Sequence, residues 1–186
     1  MIKVGIISGS TRPGRKSTAV ANWVLEIANQ RADAEYEVVD IADFNLPLLD
    51  EPIPPSMGQP YSKEHTRAWS EKIKTFDAFV FVTPEYNHAT SGALKNAIDY
   101  LYSEWNNKAA GFVAYGAAGG ARAIENLRPV MSELQIADVR ATVMLSLFTD
   151  FENFSVFKPA AFQADAVNVM LGQVLSWGTA LKSVRG

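Results

Sequence analysis

Short apolar runs recur along this chain, separated by longer stretches with helical spacing, and this alternation restricts the fold more than any other feature. Lys3–Ser8, Tyr36–Asp40, Ala78–Thr83, Gly111–Tyr115 and Val139–Leu147 read as strands. Ser17–Gln30, a stretch near Tyr61–Thr75, Ser91–Leu101, Ala121–Leu134 and Phe162–Val184 read as helices. In the first helix Val20, Val24, Leu25 and Ile27 share roughly one face. The strands are apolar on both faces, so each needs cover above and below, which a parallel sheet between two helical layers provides. The expected architecture is a three-layer α/β sandwich, one domain over residues 1–186. At that length a single core can bury roughly 70% of the surface of the unfolded chain, so stability requires neither a disulfide nor a structural metal.

Two stretches interrupt the rhythm. Phe44–Pro60 carries Pro47, Pro52, Pro54, Pro55 and Pro60, too many for a helix, and is expected to be a long ordered loop covering a sheet edge. In Phe148–Pro159 the phenylalanines Phe148, Phe151, Phe154 and Phe157 stand three apart, which suits an aromatic lid, a contact with a partner chain, or core burial.

Composition narrows the chemistry. The chain has no cysteine, which excludes a thiolate nucleophile, an iron–sulfur cluster and a Cys-ligated zinc; its two histidines, His65 and His88, are far from metal-ligand spacing. Redox chemistry would therefore have to come from a bound organic cofactor. A formal net charge of −3 gives no overall attraction to nucleic acid or anionic lipid. The apolar run Ile2–Ile7 contains Lys3 and ends at a Gly/Ser turn, too short for a membrane span or a signal-peptide core, so a cytoplasmic location with no membrane partner is expected.

In an open parallel sheet, ligands bind beyond the carboxyl ends of the strands near the point where strand order reverses. Three loops of unusual composition follow the first, third and fourth strands: residues 9–17, 84–90 and 116–120. In a flavodoxin-type order of 2-1-3-4-5 these strands are neighbours, so the loops would share one cleft. The first loop sets small residues, hydroxyls and cations ahead of a helix N-terminus, where free N–H groups and the dipole favour an anion. It reads as a phosphate cradle or as a solvated basic turn. It is not a Walker A loop, because Arg15 stands between Gly14 and Lys16; the dinucleotide fingerprint GxGxxG is also absent. Asp40 is expected to cap a helix or turn. In the second loop Pro84 stops the ladder, and the amides from Glu85 to Thr90 are free to face a planar heterocycle, with Asn87 as a side-chain donor. Tyr86 has packing against the loop or a subunit interface as its alternative role, Glu85 a surface ion pair, and His88 is either an exposed loop histidine or a proton donor. In the third loop Gly116, Gly119 and Gly120 allow close backbone approach to a flat ligand, or serve only the helix start.

Gly-Ser-Thr-Arg-Pro-Gly-Arg at 9–15, Thr-Pro-Glu-Tyr-Asn at 83–87, Leu-Lys-Asn-Ala-Ile-Asp at 94–99 and Gly-Gly-Ala-Arg-Ala at 119–123 together closely resemble the NADPH-dependent FMN reductase family. These are flavodoxin-like NAD(P)H:flavin, quinone and azo-dye reductases. The resemblance runs from Ile2 to about Leu134 and implies FMN as cofactor, with NADPH or NADH as hydride donor. It implies that Ser10, Arg12, Arg15 and Ser17 hold the phosphate, that Pro84, Glu85, Tyr86 and Asn87 line the isoalloxazine, and that Tyr115, Gly116, Gly119 and Gly120 border its other side. Many members have Ser at the position of Arg15 and Asn at that of Ser17, and His88 falls at a variable position. No catalytic side chain is implied, because flavin N5 carries the hydride. A small-molecule electron acceptor, a ping-pong mechanism and a homodimer or homotetramer complete the expectation. An electron-transfer flavodoxin shares the fold, but Arg12, Arg15 and the modest charge argue against it.

Overall fold

In the computed structural model, which describes residues 1–185, β1 (Lys3–Ser8), β2 (Glu35–Asp40), β3 (Ala78–Pro84), β4 (Lys108–Gly116) and β5 (Ile136–Ser146) form one parallel sheet in the order β2-β1-β3-β4-β5. Every residue of β3 and β4 is buried, as strands covered on both faces must be. The edge strands β2 and β5 retain partly exposed positions.

Helices α1 (Ser17–Ala28) and α5 (Gln163–Lys182) cover one face, where Val20, Val24, Val167, Met170 and Val174 pack on Val4, Ile6, Val80 and Val113. Helices α2 (Glu64–Lys74), α3 (Gly92–Asp99) and α4 (Ala121–Glu133) cover the other through Trp69, Ile73, Leu94, Ile98, Leu127 and Met131. The buried indoles on this side are satisfied: Trp69 donates to Ala97 O at 2.7 Å and Trp105 to Ile98 O at 3.1 Å.

The three layers and the strand order are as expected, and the differences lie at the ends of elements. β4 starts at Lys108 and β5 at Ile136, earlier than expected, because Lys108 pairs with Ile136 and Ala109 with both Ala78 and Ala137. Alanine has little strand preference, so this extension comes from its neighbours. The proline-rich segment, expected to cover a sheet edge, is tied by hydrogen bonds to two helices. Asn96 of α3 donates to Pro47 O at 2.7 Å and accepts from Leu49 N at 2.9 Å, while the Glu51 carboxylate accepts from Ser62 N and Lys63 N, both at 3.0 Å, just before α2.

The phenylalanine-rich segment divides its roles. It forms a short hairpin, β6 (Phe151–Glu152) with β7 (Val156–Phe157), in which Phe151 is buried against Tyr115 while Phe148 and Phe154 are exposed and meet edge to face at 5.4 Å. Asp150, itself buried, fixes the segment by accepting from Ser146 N at 2.9 Å and Ala160 N at 3.0 Å.

Candidate functional site

Because β1, β3 and β4 are adjacent, the loops that follow them meet at one end of the sheet. The first loop is anchored before it turns. Gly9 N donates to Val82 O at 2.8 Å, and a Cβ on Gly9 would stand 2.7 Å from that same oxygen, so only glycine lets β1 run this close to β3. Ser91, the N-cap of α3, donates to Gly9 O and accepts from Leu94 N, tying the loop to the helix behind it.

Beyond Gly9 the chain leaves several polar groups unused. The N–H groups of Thr11, Gly14, Lys16 and Ser17 have no partner among the described residues, and α1 begins with no side-chain cap and no acid in its first turn. Ser10 is buried with its hydroxyl 3.2 Å from that of Tyr86, and the Arg12 guanidinium lies 5.7 Å above the Tyr86 ring. Tyr86 therefore packs the second loop against the first. Ser17 is fully buried and its hydroxyl accepts from Ser8 at 3.0 Å, which leaves its own O–H as a donor.

Two buried side-chain atoms at this loop lack a hydrogen-bond partner among the described residues: Arg15 Nε and the Tyr115 hydroxyl. Orphaned buried donors cost about 1–3 kcal/mol each, so this pair is open to an acceptor from outside the chain. Tyr115 is only 6% exposed, and its hydroxyl sits beside Ser17, the Lys16 N–H, Tyr86 and Arg12. Burial, reinforced by Tyr86, raises its pKa and keeps it a neutral donor. Arg15 is clamped elsewhere: its Nη2 lies 2.7 Å from Asp40, which also accepts from Thr18 Oγ1 at 3.2 Å and from Ala42 N at 3.0 Å. Asp40 is thus the turn cap that was expected, and in addition it holds the cation of the loop.

The second loop is narrower than its sequence suggested. Glu85 N donates to Tyr115 O at 2.9 Å, and Tyr86 and Ala89 exchange hydrogen bonds across a two-residue turn, so the amides at its tip are those of Asn87 and His88. Both tip residues hold positive φ, 49° and 72°, the conformation such hairpin turns demand. Thr83 and Thr90, with hydroxyls 2.8 Å apart in the core, pin the base of the loop. Pro84 is buried in register with Tyr115.

Glu85 does not present its carboxylate to the cleft. The side chain, 4% exposed, turns under the loop to pair with the Arg122 guanidinium and accepts from Arg122 N at 3.1 Å, capping α4 from a distance. Arg122 in turn places Nη1 3.3 Å from His88 Nδ1, bridging the second and third loops. In the third loop a Cβ on Gly120 would stand 2.5 Å from that of Ala114, and φ is 76°, so packing and backbone conformation alone require glycine here. Sequence reasoning assigned no role of its own to Gly9, to the Ser91 and Thr90 hydroxyls or to Arg122. Arg122 stood within a quoted motif, but nothing local marks it as the partner of Glu85.

A family model described as NADPH-dependent FMN reductase matches residues 2–150. A protein of Schizosaccharomyces pombe named as an NAD(P)H-dependent FMN reductase is 40% identical over 159 residues, covering 85% of this chain and 80% of its own. A quinone reductase of Escherichia coli K12 is 34% identical over 136 residues, covering 70% and 69%. Among solved structures, the flavoenzyme NAD(P)H:(acceptor) oxidoreductase of Paracoccus denitrificans superposes with a TM-score of 0.71 at 20% identity over 95% of this chain and 98% of that one.

Proposed function

The chain belongs to the NADPH-dependent FMN reductase family, as an FMN-dependent NAD(P)H oxidoreductase, and from that premise we propose that the cofactor lies across its three loops. The phosphate goes to the first loop, and the ring goes between the second and third. The observation that carries this is the pair of orphaned buried donors, Arg15 Nε and Tyr115 Oη, at a loop whose amides are also unclaimed. A phosphate supplies the acceptor oxygens those donors lack. Ser10, Arg12 and the Ser17 N–H complete the cradle, and Arg15 contributes from the position Asp40 gives it. Tyr115 then belongs with the phosphate, while Gly116, Gly119, Gly120 and the Asn87 and His88 amides border the ring.

Bound FMN supplies the two-electron chemistry, and the protein supplies position and electrostatics. The chain's share is to hold the phosphate by charge-assisted hydrogen bonds, to orient the ring edge with backbone donors, and to keep one cleft open at the end of the sheet. Hydride donor and electron acceptor take turns in that cleft, which makes the kinetics ping-pong. Quinones, free flavins and azo dyes are the acceptor classes. The enzyme works in the cytoplasm; among the described residues no helix is long and apolar enough to cross a membrane.

The test is a pair of fluorescence titrations of the apoprotein, with FMN and with riboflavin. Each charge-assisted contact contributes roughly 1.5–3 kcal/mol, so FMN should bind at least tenfold more tightly. Equal affinities would refute the phosphate assignment. In the steady state, reciprocal plots at several acceptor concentrations should be parallel, and intersecting lines would reject the shared cleft.

A further inference from the structure

His88 stands in a costly conformation. At φ 72° it occupies a position that suits glycine or asparagine, at the exposed tip of the second loop. Its ring is also tethered: Arg122 Nη1 lies 3.3 Å from His88 Nδ1, and the same guanidinium is held by the buried Glu85 carboxylate. An arginine can only donate, so in this contact Nδ1 is the acceptor, and a neutral ring then carries its proton on Nε2. The chain Glu85–Arg122–His88 thus selects one tautomer and directs a single N–H away from the bridge, at the tip that carries the Asn87 and His88 amides.

We propose that His88, fixed as its Nε2–H tautomer by the Glu85–Arg122 pair, donates a hydrogen bond to a carbonyl oxygen of a quinone-type acceptor in the cleft. The proposal rests on the FMN site lying where the three loops meet. Reduction of a quinone to a hydroquinone takes two electrons and two protons. NAD(P)H, oxidised to NAD(P)+, provides both electrons and one proton as a hydride equivalent, and water provides the second proton. Until that proton arrives, negative charge rests on a quinone oxygen, where a fixed donor stabilises it more than it stabilises the neutral carbonyl. His88 keeps its own proton throughout, because losing it from a ring with unprotonated Nδ1 would create an imidazolate. Arg122 is a positioning residue.

Two measurements on the FMN-loaded enzyme test this. With only two histidines in the chain, long-range proton–nitrogen NMR correlation of 15N-labelled protein reads the His88 tautomer directly, with assignment by its loss in His88→Gln. The Nε2–H pattern is expected in the wild type and a mixed pattern in Arg122→Met. A His88 signal with the proton on Nδ1, or one unchanged in Arg122→Met, overturns the relay. The second measurement compares kcat/KM for a benzoquinone with that for ferricyanide, which has no carbonyl. His88→Leu should lower the quinone-to-ferricyanide ratio by about ten- to a hundredfold, and His88→Gln, which retains a side-chain N–H, should restore most of it. An unchanged ratio in His88→Leu overturns the acceptor role while leaving the FMN site intact. Wild-type enzyme that NAD(P)H cannot reduce refutes that site, and the acceptor role with it.

Discussion

Tyr115 and Arg12 serve the same loop by opposite routes, and substitution separates them. The Tyr115 hydroxyl is buried without a partner among the described residues, so removing it should delete a penalty from the free protein. Tyr115→Phe should leave urea stability unchanged or raise it by up to about 1 kcal/mol, yet weaken FMN binding by roughly three- to tenfold. A loss of stability with unchanged FMN affinity would mean that the hydroxyl serves the fold. Arg12 is exposed and packs only over the Tyr86 ring, so Arg12→Ala should leave the fold intact while weakening FMN by on the order of ten- to a hundredfold. Normal affinity in that variant would return Arg12 to the surface. The loops' residues were legible in the sequence because their types are unusual for a strand end. Their partners were not, since Glu85 meets Arg122, and Arg15 meets Asp40, only after strands distant in sequence have paired.

Among the elements, the proline-rich segment depends most on a single side chain. Glu51 gathers the Ser62 N–H, the Ser62 hydroxyl and the Lys63 N–H, and so fastens residues 44–60 to the start of α2. Burial alone would raise its pKa, but these donors outweigh burial and lower it to about 2. A carboxylate with a depressed folded pKa stabilises fully above its unfolded value near 4.5, and that stability is lost as pH falls towards 2. After allowance for solvent screening, Glu51→Gln should cost about 1 kcal/mol at pH 7 and nothing near pH 2, as read from urea midpoints across that range. A cost that does not vary with pH would show that the pin is steric. Periodicity predicted the strands and helices of the main layers because each carries its own burial pattern. It missed the hairpin of β6 and β7, whose two-residue strands are too short for any period and hold together because Phe151 packs on Tyr115 and Phe157 on Trp23.

At the scale of the whole molecule, Leu48, Leu49, Ile53 and Met57 leave an apolar strip exposed along the proline-rich segment, close to α3. Covering such a strip with a second copy is the simplest closed arrangement, so sedimentation equilibrium should give twice the mass of one chain across the micromolar range. Leu48→Asp combined with Met57→Lys should shift it towards the monomer; a wild-type monomer would refute the dimer. The layer architecture was already written in the sequence, because two-sided apolar strands are a local signal with one physical solution, and the glycine-, proline- and hydroxyl-rich loops singled out one end of the sheet as the candidate site. Tertiary structure alone decided how those loops are wired. Strand order placed Tyr115 beside the first loop, drew Glu85 onto Arg122, and took the Glu85, Tyr86 and Ala89 amides out of the expected free strip. Each of these outcomes is a contact between side chains or amides far apart in the chain, made only when the sheet closes, and no local pattern encodes it.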